Sequence, residues 1–492
     1  MKNSLGKKCL LSMLVVALGM VNPYQAFADD NTANIEKRLN DLEAQVAELK
    51  QELQQQKQAS FQQAASQTSG STSSQTPPAA IVTANSKDGF SIKSPDGNYR
   101  LKLGGYAQVL GREFGDTKKD LGYASSIIPR RVRLIIQGTV ARDFDYYIQP
   151  DFGYTNTYSS ITATSPTAYA VSLQDAWVDY KYFSWATIKA GKMKTPFDLE
   201  NLQDSRYTAF PELGLTCNLS PQRDVGAQLG GSLFDDIVNY QVGLFDGSAD
   251  RENGYGGFAT APGDTNAKAG VGRIFIKPFK DTTIEPLKGL GVGYAASYGK
   301  EKGSDIPSYI TPGQAPIYTY NSNVSGAGPQ IRTEPQAYYY YKSLGILGEK
   351  VNSQEELQYT SGSQIIRDKP TNKAWEVTTS FVLTGENASY NGIIPNHDLD
   401  LSNGHFGAFE LVGRLGELKM DSSLFTENFA NLNTSISKEN TWGTGINWYL
   451  NHNAKVVFDF EQTKFRRGAA NGASTDDRKT ENLFTSMFQV GF

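Results

Sequence analysis

The chain ends in Glu481-Asn482-Leu483-Phe484-Thr485-Ser486-Met487-Phe488-Gln489-Val490-Gly491-Phe492, where Phe484, Phe488, Val490 and Phe492 fall on one face of an extended strand. Successive side chains of a strand point to opposite sides, so a period of two marks a sheet with two unlike faces. The same alternation runs back through the chain. In residues 131–140 one face carries Arg131, Arg133, Gln137 and Thr139, and the other Val132, Leu134, Ile136 and Val140. It recurs in residues 442–450 and again, after a short polar turn at 451–454, in Val456, Phe458 and Phe460 against Asp459, Glu461 and Thr463. From about Phe90 to Phe492 this dyad pattern stands in place of any helical period.

Alternation by itself does not separate a soluble sandwich from a membrane barrel, because both have one apolar and one polar face. The connections discriminate better. Short turns at 451–454 and 182–184 alternate with long polar loops such as 466–480, as in a barrel with one periplasmic and one outer rim. A terminal Phe preceded by apolar residues at every second position resembles the signal read by the outer-membrane barrel-assembly machinery, which makes Phe492 the expected contact with that partner. The start of the chain agrees. Lys2, Lys7 and Lys8, an apolar run from Leu10 to Met20, and Ala26-Phe27-Ala28 before Asp29 read as a secretory signal over residues 1–28. Cys9 precedes the apolar run instead of closing it, so it is not a lipid-acceptor cysteine. The run from Cys9 to Val21 has 13 residues, too few for a membrane-spanning helix.

Composition narrows the function. Among 492 residues there are 26 Tyr, 25 Phe and 47 Gly, a balance suited to strands, turns and an aromatic surface facing outer-membrane lipid. Formal charge is -4, and loss of the three leader lysines makes the mature chain more acidic still, which disfavours nucleic acid as a partner. With Cys9 in the leader, Cys217 stands alone, so neither an intrachain disulfide nor a cysteine metal site is expected.

Before the barrel, Ile35, Leu39, Leu42, Val46, Leu49 and Leu53 follow a 4-3-4-3-4 spacing with charged and amide residues between, a heptad seam over a periplasmic segment 29–58. A single amphipathic helix lying on the barrel is the alternative. Arg38 to Glu43 resembles the pattern of short three-stranded coiled coils, in which Arg38 pairs with the Glu43 of a neighbouring helix, and this implies a homotrimer. Residues 59–89, rich in Gln, Ser, Thr and Ala and containing Pro77-Pro78, read as a flexible linker to the barrel at 90–492.

Several stretches along the barrel region resemble the phosphate-selective porin O and P family in order and spacing. They are Arg130 to Leu134 leading to Asp143 to Tyr146, Asp175 to Tyr180, Gly191 to Glu200, Arg223 to Gly226, Phe381 to Glu386, Gly407 to Glu410 and Asn447 to Asn451. The resemblance covers about 400 residues. It implies an all-β chain folded as a 16-stranded antiparallel transmembrane β-barrel, here preceded by a short α-helical coiled coil. It further implies three barrels per assembly, each with a pore narrowed by inward-folded loops and passing small hydrophilic solutes, without a cofactor. About 25 residues per strand and connection are then available, and roughly 10 suffice to cross.

Phosphate-specific members are credited with basic side chains along the lumen, since an oxyanion leaving water needs close, charge-assisted donors. The matching candidates are Arg131, Arg133, Lys192, Lys194, Arg206 and Arg223. Against them stand the acids of the third loop, Asp198, Glu200, Asp204 and Glu212, and Asp398 and Asp400 in the long turn 385–406 expected to enter the lumen. Two other functions are open. One is a barrel anchor whose coiled coil tethers the outer membrane to the cell wall, although no wall-binding module is recognisable. The other is an outer-membrane hydrolase, for which His397, His405 and His452 are the available general bases. Residues 293–300 miss the phosphate-loop spacing by one residue, and the acidic loops lack the D-x-D-x-D-G calcium pattern.

A peptide of residues 31–58 should self-associate weakly, because so short a coil is marginal alone. Deleting it should lower the temperature at which trimers dissociate while leaving each barrel folded, measured by native electrophoresis after graded heating. Unchanged trimer stability would favour the tether.

Overall fold

The computed structural model describes residues 80–85, 89–115, 125–153, 171–247, 268–303, 306–469 and 476–492. The expected leader, the heptad seam (Ile35, Arg38, Leu39, Leu42, Glu43, Val46, Leu49, Leu53) and most of the linker lie outside the described residues.

A hairpin of β1 (Ile81–Asn85) and β2 (Gly89–Lys93) comes first, with β1 and the start of β2 inside the stretch 59–89 expected to be linker. The wall then begins with β3 (Arg100–Phe114), β4 (Ser126–Val140), β5 (Phe144–Asp151), β6 (Ser172–Phe183), β7 (Ala186–Lys194), β8 (Arg223–Leu233), β9 (Val238–Phe245), β10 (Ala269–Ile276) and β11 (Leu290–Gly303). A short pair, β12 (Tyr309–Ile310) and β13 (Pro316–Tyr318), belongs to a loop. The wall resumes with β14 (Ser325–Tyr341), β15 (Leu344–Ser361), β16 (Gln364–Asp368), β17 (Thr371–Val382), β18 (Ala408–Lys419), β19 (Ile436–Asn451), β20 (Ala454–Arg467) and β21 (Glu481–Gly491). Apart from β16, each wall strand pairs antiparallel with the next, β15 pairing with β17, and β21 returns to pair with β3 from Leu483↔Phe114 to Gly491↔Tyr106. The result is a closed antiparallel barrel of 16 strands, with β16 an extension paired to the upper part of β15.

The two faces identify the solvent. Along the wall the exposed side chains are apolar, among them Leu134, Val178, Ile188, Val225, Leu244, Phe381, Leu411, Leu415 and Phe458. Many of the buried ones are polar or charged, among them Gln108, Arg131, Glu334, Glu349, Glu376, Arg414, Glu439, Asn447 and Glu461. A soluble sandwich has the opposite arrangement, so the outer surface is built for hydrocarbon. Near the turn after β6, Tyr180, Tyr182, Phe183 and Trp185 form a chain of ring contacts 4.7–6.3 Å apart, the aromatic girdle expected at a membrane interface. Tight turns such as 141–143, 184–185 and 452–453 share one rim with the long turn 383–407, the start of β3 and the end of β21, while the segments 195–222 and 306–324 leave from the other.

In β4 the register slips between Gln108↔Arg131 and Val109↔Pro129, leaving Arg130 as the extra residue of a β-bulge. Pro129 has no N–H to give the ladder, which makes this a natural place for the slip. Arg130 and Arg131 are consequently both buried, at 7% and 4% exposure, where strict alternation would place only one inside.

Below the end of β21, the free edge of β3 at residues 100–103 is taken by β2. Phe492 exchanges two backbone hydrogen bonds with Gly105, and its ring meets that of Phe90 edge-on at 5.9 Å. The hairpin therefore completes the seam where the barrel closes. Deleting residues 81–93 should lower the melting temperature by a few degrees and leave conductance unchanged. An unaltered melting temperature would show that the seam needs no cover.

Candidate functional site

The third loop, residues 195–222, leaves β7, crosses the inside of the barrel and returns to β8. A loop inside a barrel must find a partner for every backbone group that water no longer reaches. Here the wall supplies them. Carbonyls of Ser205, Arg206, Thr208, Ala209, Pro211 and Glu212 accept from Gln108, Gln489, Lys455, Asn447, Arg131 and Arg414 over 2.9–3.4 Å. In the other direction, the N–H of Leu199 donates to Glu349 at 2.8 Å and that of Leu215 to Glu376 at 2.9 Å. A helix of one turn, α1 (Leu199–Leu202), is capped by Asp198, whose carboxylate accepts from the Asn201 N–H at 2.7 Å. At Gly214 the loop passes so close to the wall that a Cβ would lie 1.3 Å from a Glu376 oxygen, which excludes any other residue without local movement.

Charge fixes the loop as well. The Arg414 guanidinium, 1% exposed, reaches Glu200 at 2.7 Å and Glu376 and Glu461 at 3.3 Å, while lying over the Phe210 ring at 4.3 Å. On the opposite side the bulge pays off, since Arg130 and Arg131 both bind Glu212, at 2.5 and 3.2 Å. Burial pushes the Glu212 carboxyl up, but the two guanidiniums more than offset this and hold it below its ordinary range. Burial also raises Asp198, to about 6, and the nearby Glu200 charge adds to the rise. From the periplasmic side the long turn 383–407 supports the loop, with the Tyr390 hydroxyl donating to the Leu199 carbonyl and Gln203 donating to the Tyr390 carbonyl, both at 2.6 Å.

The loop leans on the strands from β14 to β21, and a cavity of about 260 Å³ remains between it and the wall from β3 to β9. Arg133, Lys189, Lys194 and Arg223 line the cavity with Asp175, Asp204, Tyr106, Tyr147 and Trp177. Arg133 donates to Asp151 at 2.7 Å and to the Tyr106 hydroxyl at 2.8 Å. Lys194 donates to the carbonyls of Asn201 and Gln203 at 2.5 and 2.7 Å, and Arg223 pairs with Asp175 at 3.2 Å. Trp177 stacks on Tyr147 with the Lys189 ammonium 3.9 Å from its ring.

The structure thus divides the residues singled out from sequence. Arg133, Lys194 and Arg223 come together at the cavity. Arg131 is spent on Glu212, Pro211 and Gln108 behind the loop. Arg206 closes on its own neighbour Asp204 at 2.8 Å over the Tyr106 and Tyr207 rings. Lys192 stands in register with Ala176 and Val225, whose side chain is exposed on the outer wall, and lines no part of the cavity.

Of the acids, Asp204 alone borders the cavity. Its burial is outweighed by the hydrogen bonds and charge of Arg206, which hold it at about 2. Glu200 and Glu212 are turned into the wall contacts above, and Asp198 caps α1 within the loop. Asp398 is exposed on the rim, where Asp400 caps Ser402 and Asn403 and His397 stacks on His405 at 4.3 Å. Sequence reasoning missed Lys189, Arg130 and Arg414. Alternation with exposed Ile188 and Leu415 could have found Lys189 and Arg414, whereas Arg130 depends on the bulge.

The model of the phosphate-selective porin O and P family matches residues 102–492. Porin O of Pseudomonas aeruginosa is 23% identical over 426 residues, which cover 82% of this chain and 91% of that protein. Among solved structures, the outer membrane channel DcaP of Acinetobacter baumannii aligns at 10% identity and a TM-score of 0.47, covering 81% of this chain and 99% of its own. The anion-selective porin from Comamonas acidovorans aligns at 11% identity and 0.47, covering 80% of this chain and all of its own.

Replacing Arg414 with Ala leaves Glu200, Glu376 and Glu461 buried around a lost cation. The expected loss is about 3–5 kcal/mol of stability, read from urea unfolding in lipid vesicles, with partial recovery when Glu200→Gln is added. A loss below about 1 kcal/mol would mean that water screens the group.

Proposed function

Because the chain belongs to the phosphate-selective porin O and P family, an outer-membrane channel family, we propose that its pore favours small hydrophilic anions, phosphate among them. The observation that supports this reading is the placement of charge. Four basic side chains border the cavity against two carboxylates, and one of those, Asp204, is held by Arg206. The remaining acids of the third loop face the wall, where they act on the loop's position and only weakly on a passing ion. An oxyanion in the cavity would exchange part of its hydration for the Arg133 fork and the Lys194 and Arg223 donors, all of which keep other partners and so remain oriented. Tyr106 and Tyr147 add neutral walls that leave the field to the basic groups. Assembly as a homotrimer through the 29–58 seam, and recognition of Phe492 by the barrel-assembly machinery, belong to the same proposal.

Conductance and reversal potential in planar bilayers under a KCl gradient test it. The wild-type channel should prefer anions, and each of Arg133→Ala, Lys194→Ala and Arg223→Ala should lower the anion-to-cation permeability ratio. A change of about 1 kcal/mol for one charge at about 4 Å in water corresponds to roughly fivefold. Asp204→Asn should raise the ratio. Saturation of conductance by phosphate would place phosphate binding at this cavity if the three variants also weaken it. A cation-preferring pore, or none, would overturn the proposal.

A further inference from the structure

Three acids on the far side of the third loop stand apart from the ion pairs described above. Asp198 comes from the loop, Glu334 from β14 and Glu349 from β15, and they are 1%, 0% and 4% exposed. One carboxylate oxygen from each lies within 4.8 Å of the others. Two oxygens on opposite sides of a calcium ion, each at about 2.4 Å, are separated by about that distance, so one ion can touch all three groups.

The proximity gains meaning from a separate observation, the fate of each oxygen. Asp198 Oδ1 accepts from the Asn201 N–H at 2.7 Å. Glu334 Oε1 accepts from Gln336 at 2.9 Å, and Glu349 takes the Leu199 N–H on one oxygen and the Thr216 hydroxyl on the other, at 2.8 and 3.0 Å. Asp198 Oδ2 and Glu334 Oε2, fully enclosed, have no hydrogen-bond partner among the described residues. Arg273, the nearby guanidinium, spends its Nε on Gln336 at 2.8 Å, and no ion pair among the described residues includes any of the three acids. Carboxylates removed from water need protons or a cation, and carboxylate oxygens converging from three chain segments, with an unpartnered oxygen on two of the three groups, offer a hard, all-oxygen donor set without His or Cys.

We propose that Asp198, Glu334 and Glu349 bind one divalent cation, calcium by donor type, which latches the third loop to β14 and β15. The site lies behind the loop, away from the cavity, so it acts on how firmly the loop is held. Tyr390, whose hydroxyl binds the Leu199 carbonyl at 2.6 Å, is close enough to sensitise a bound lanthanide.

The test uses the full-length protein purified in detergent and stripped with EDTA. Calcium at about 1 mM, the upper range for extracellular calcium modules, should raise its melting temperature by a few degrees and lower open-channel noise in bilayers. Terbium should bind with one tyrosine-sensitised site per chain, displaced by calcium. Glu334→Gln and Glu349→Gln should each abolish these responses, while Glu439→Gln, another buried wall acid, should keep them. Calcium bound only to residual lipopolysaccharide would survive Glu334→Gln and would overturn the site. A melting temperature that follows pH and ignores calcium would overturn it in favour of shared protons. Anion selectivity measured on the same variants reads the channel proposal separately, because none of these residues borders the cavity.

Discussion

A sheet whose outer face meets hydrocarbon can leave no backbone donor or acceptor unpaired on its edge, and everything else in this molecule follows from that requirement. The edge is removed by joining β21 to β3, and the remnant of β3 below that seam is taken by β2. Closure commits the outer face to apolar side chains and sends the polar ones inward. The lumen is thus crowded with Glu, Arg, Asn and Gln that must be hydrated or paired. A single loop does much of the pairing. Its carbonyls meet the donors of β3, β4 and β18 to β21, its amides meet the acids of β15 and β17, and the loop is positioned by the wall's unmet hydrogen bonds more than by its own conformation.

The same pairing separates the charges. On the strands from β14 to β21, Glu349 is consumed by loop amides and Glu376 and Glu461 gather around Arg414. Arg130 and Arg131 are consumed by Glu212. The cavity is left on the other side of the loop, against the sector from β3 to β9, where Arg133, Lys189, Lys194 and Arg223 border it. The basic character of the cavity is therefore a remainder, set by which groups the loop has already satisfied.

The barrel was legible in the sequence because period-two alternation reports directly on which face a side chain occupies, as in residues 131–140, where every residue assigned to the wet face faces inward or is at least half covered. The strand number and the inward third loop came from family resemblance, since alternation is blind to where strands begin and to what fills the lumen. The candidate site was only half legible. Summing loop charges treated Asp198, Glu200, Asp204 and Glu212 as one field, yet a carboxylate's effect on a solute depends on which way it turns, and that is decided by partners up to 214 residues away, as with Arg414 and Glu200. Arg130 was invisible for a different reason, because a bulge shifts the parity on which the reading rests.

Parity and partnership together explain why a chain with more acidic than basic residues can still present a basic passage. Net charge governs the far field, which is screened over roughly 8 Å at physiological salt, a distance shorter than the span of the barrel. A solute in the cavity responds to the few groups within that range. Moving Glu212 from the cavity to the back of the loop changes that local balance without altering composition, and the device that holds it there is the pair of adjacent arginines both turned inward by one slipped register at Pro129.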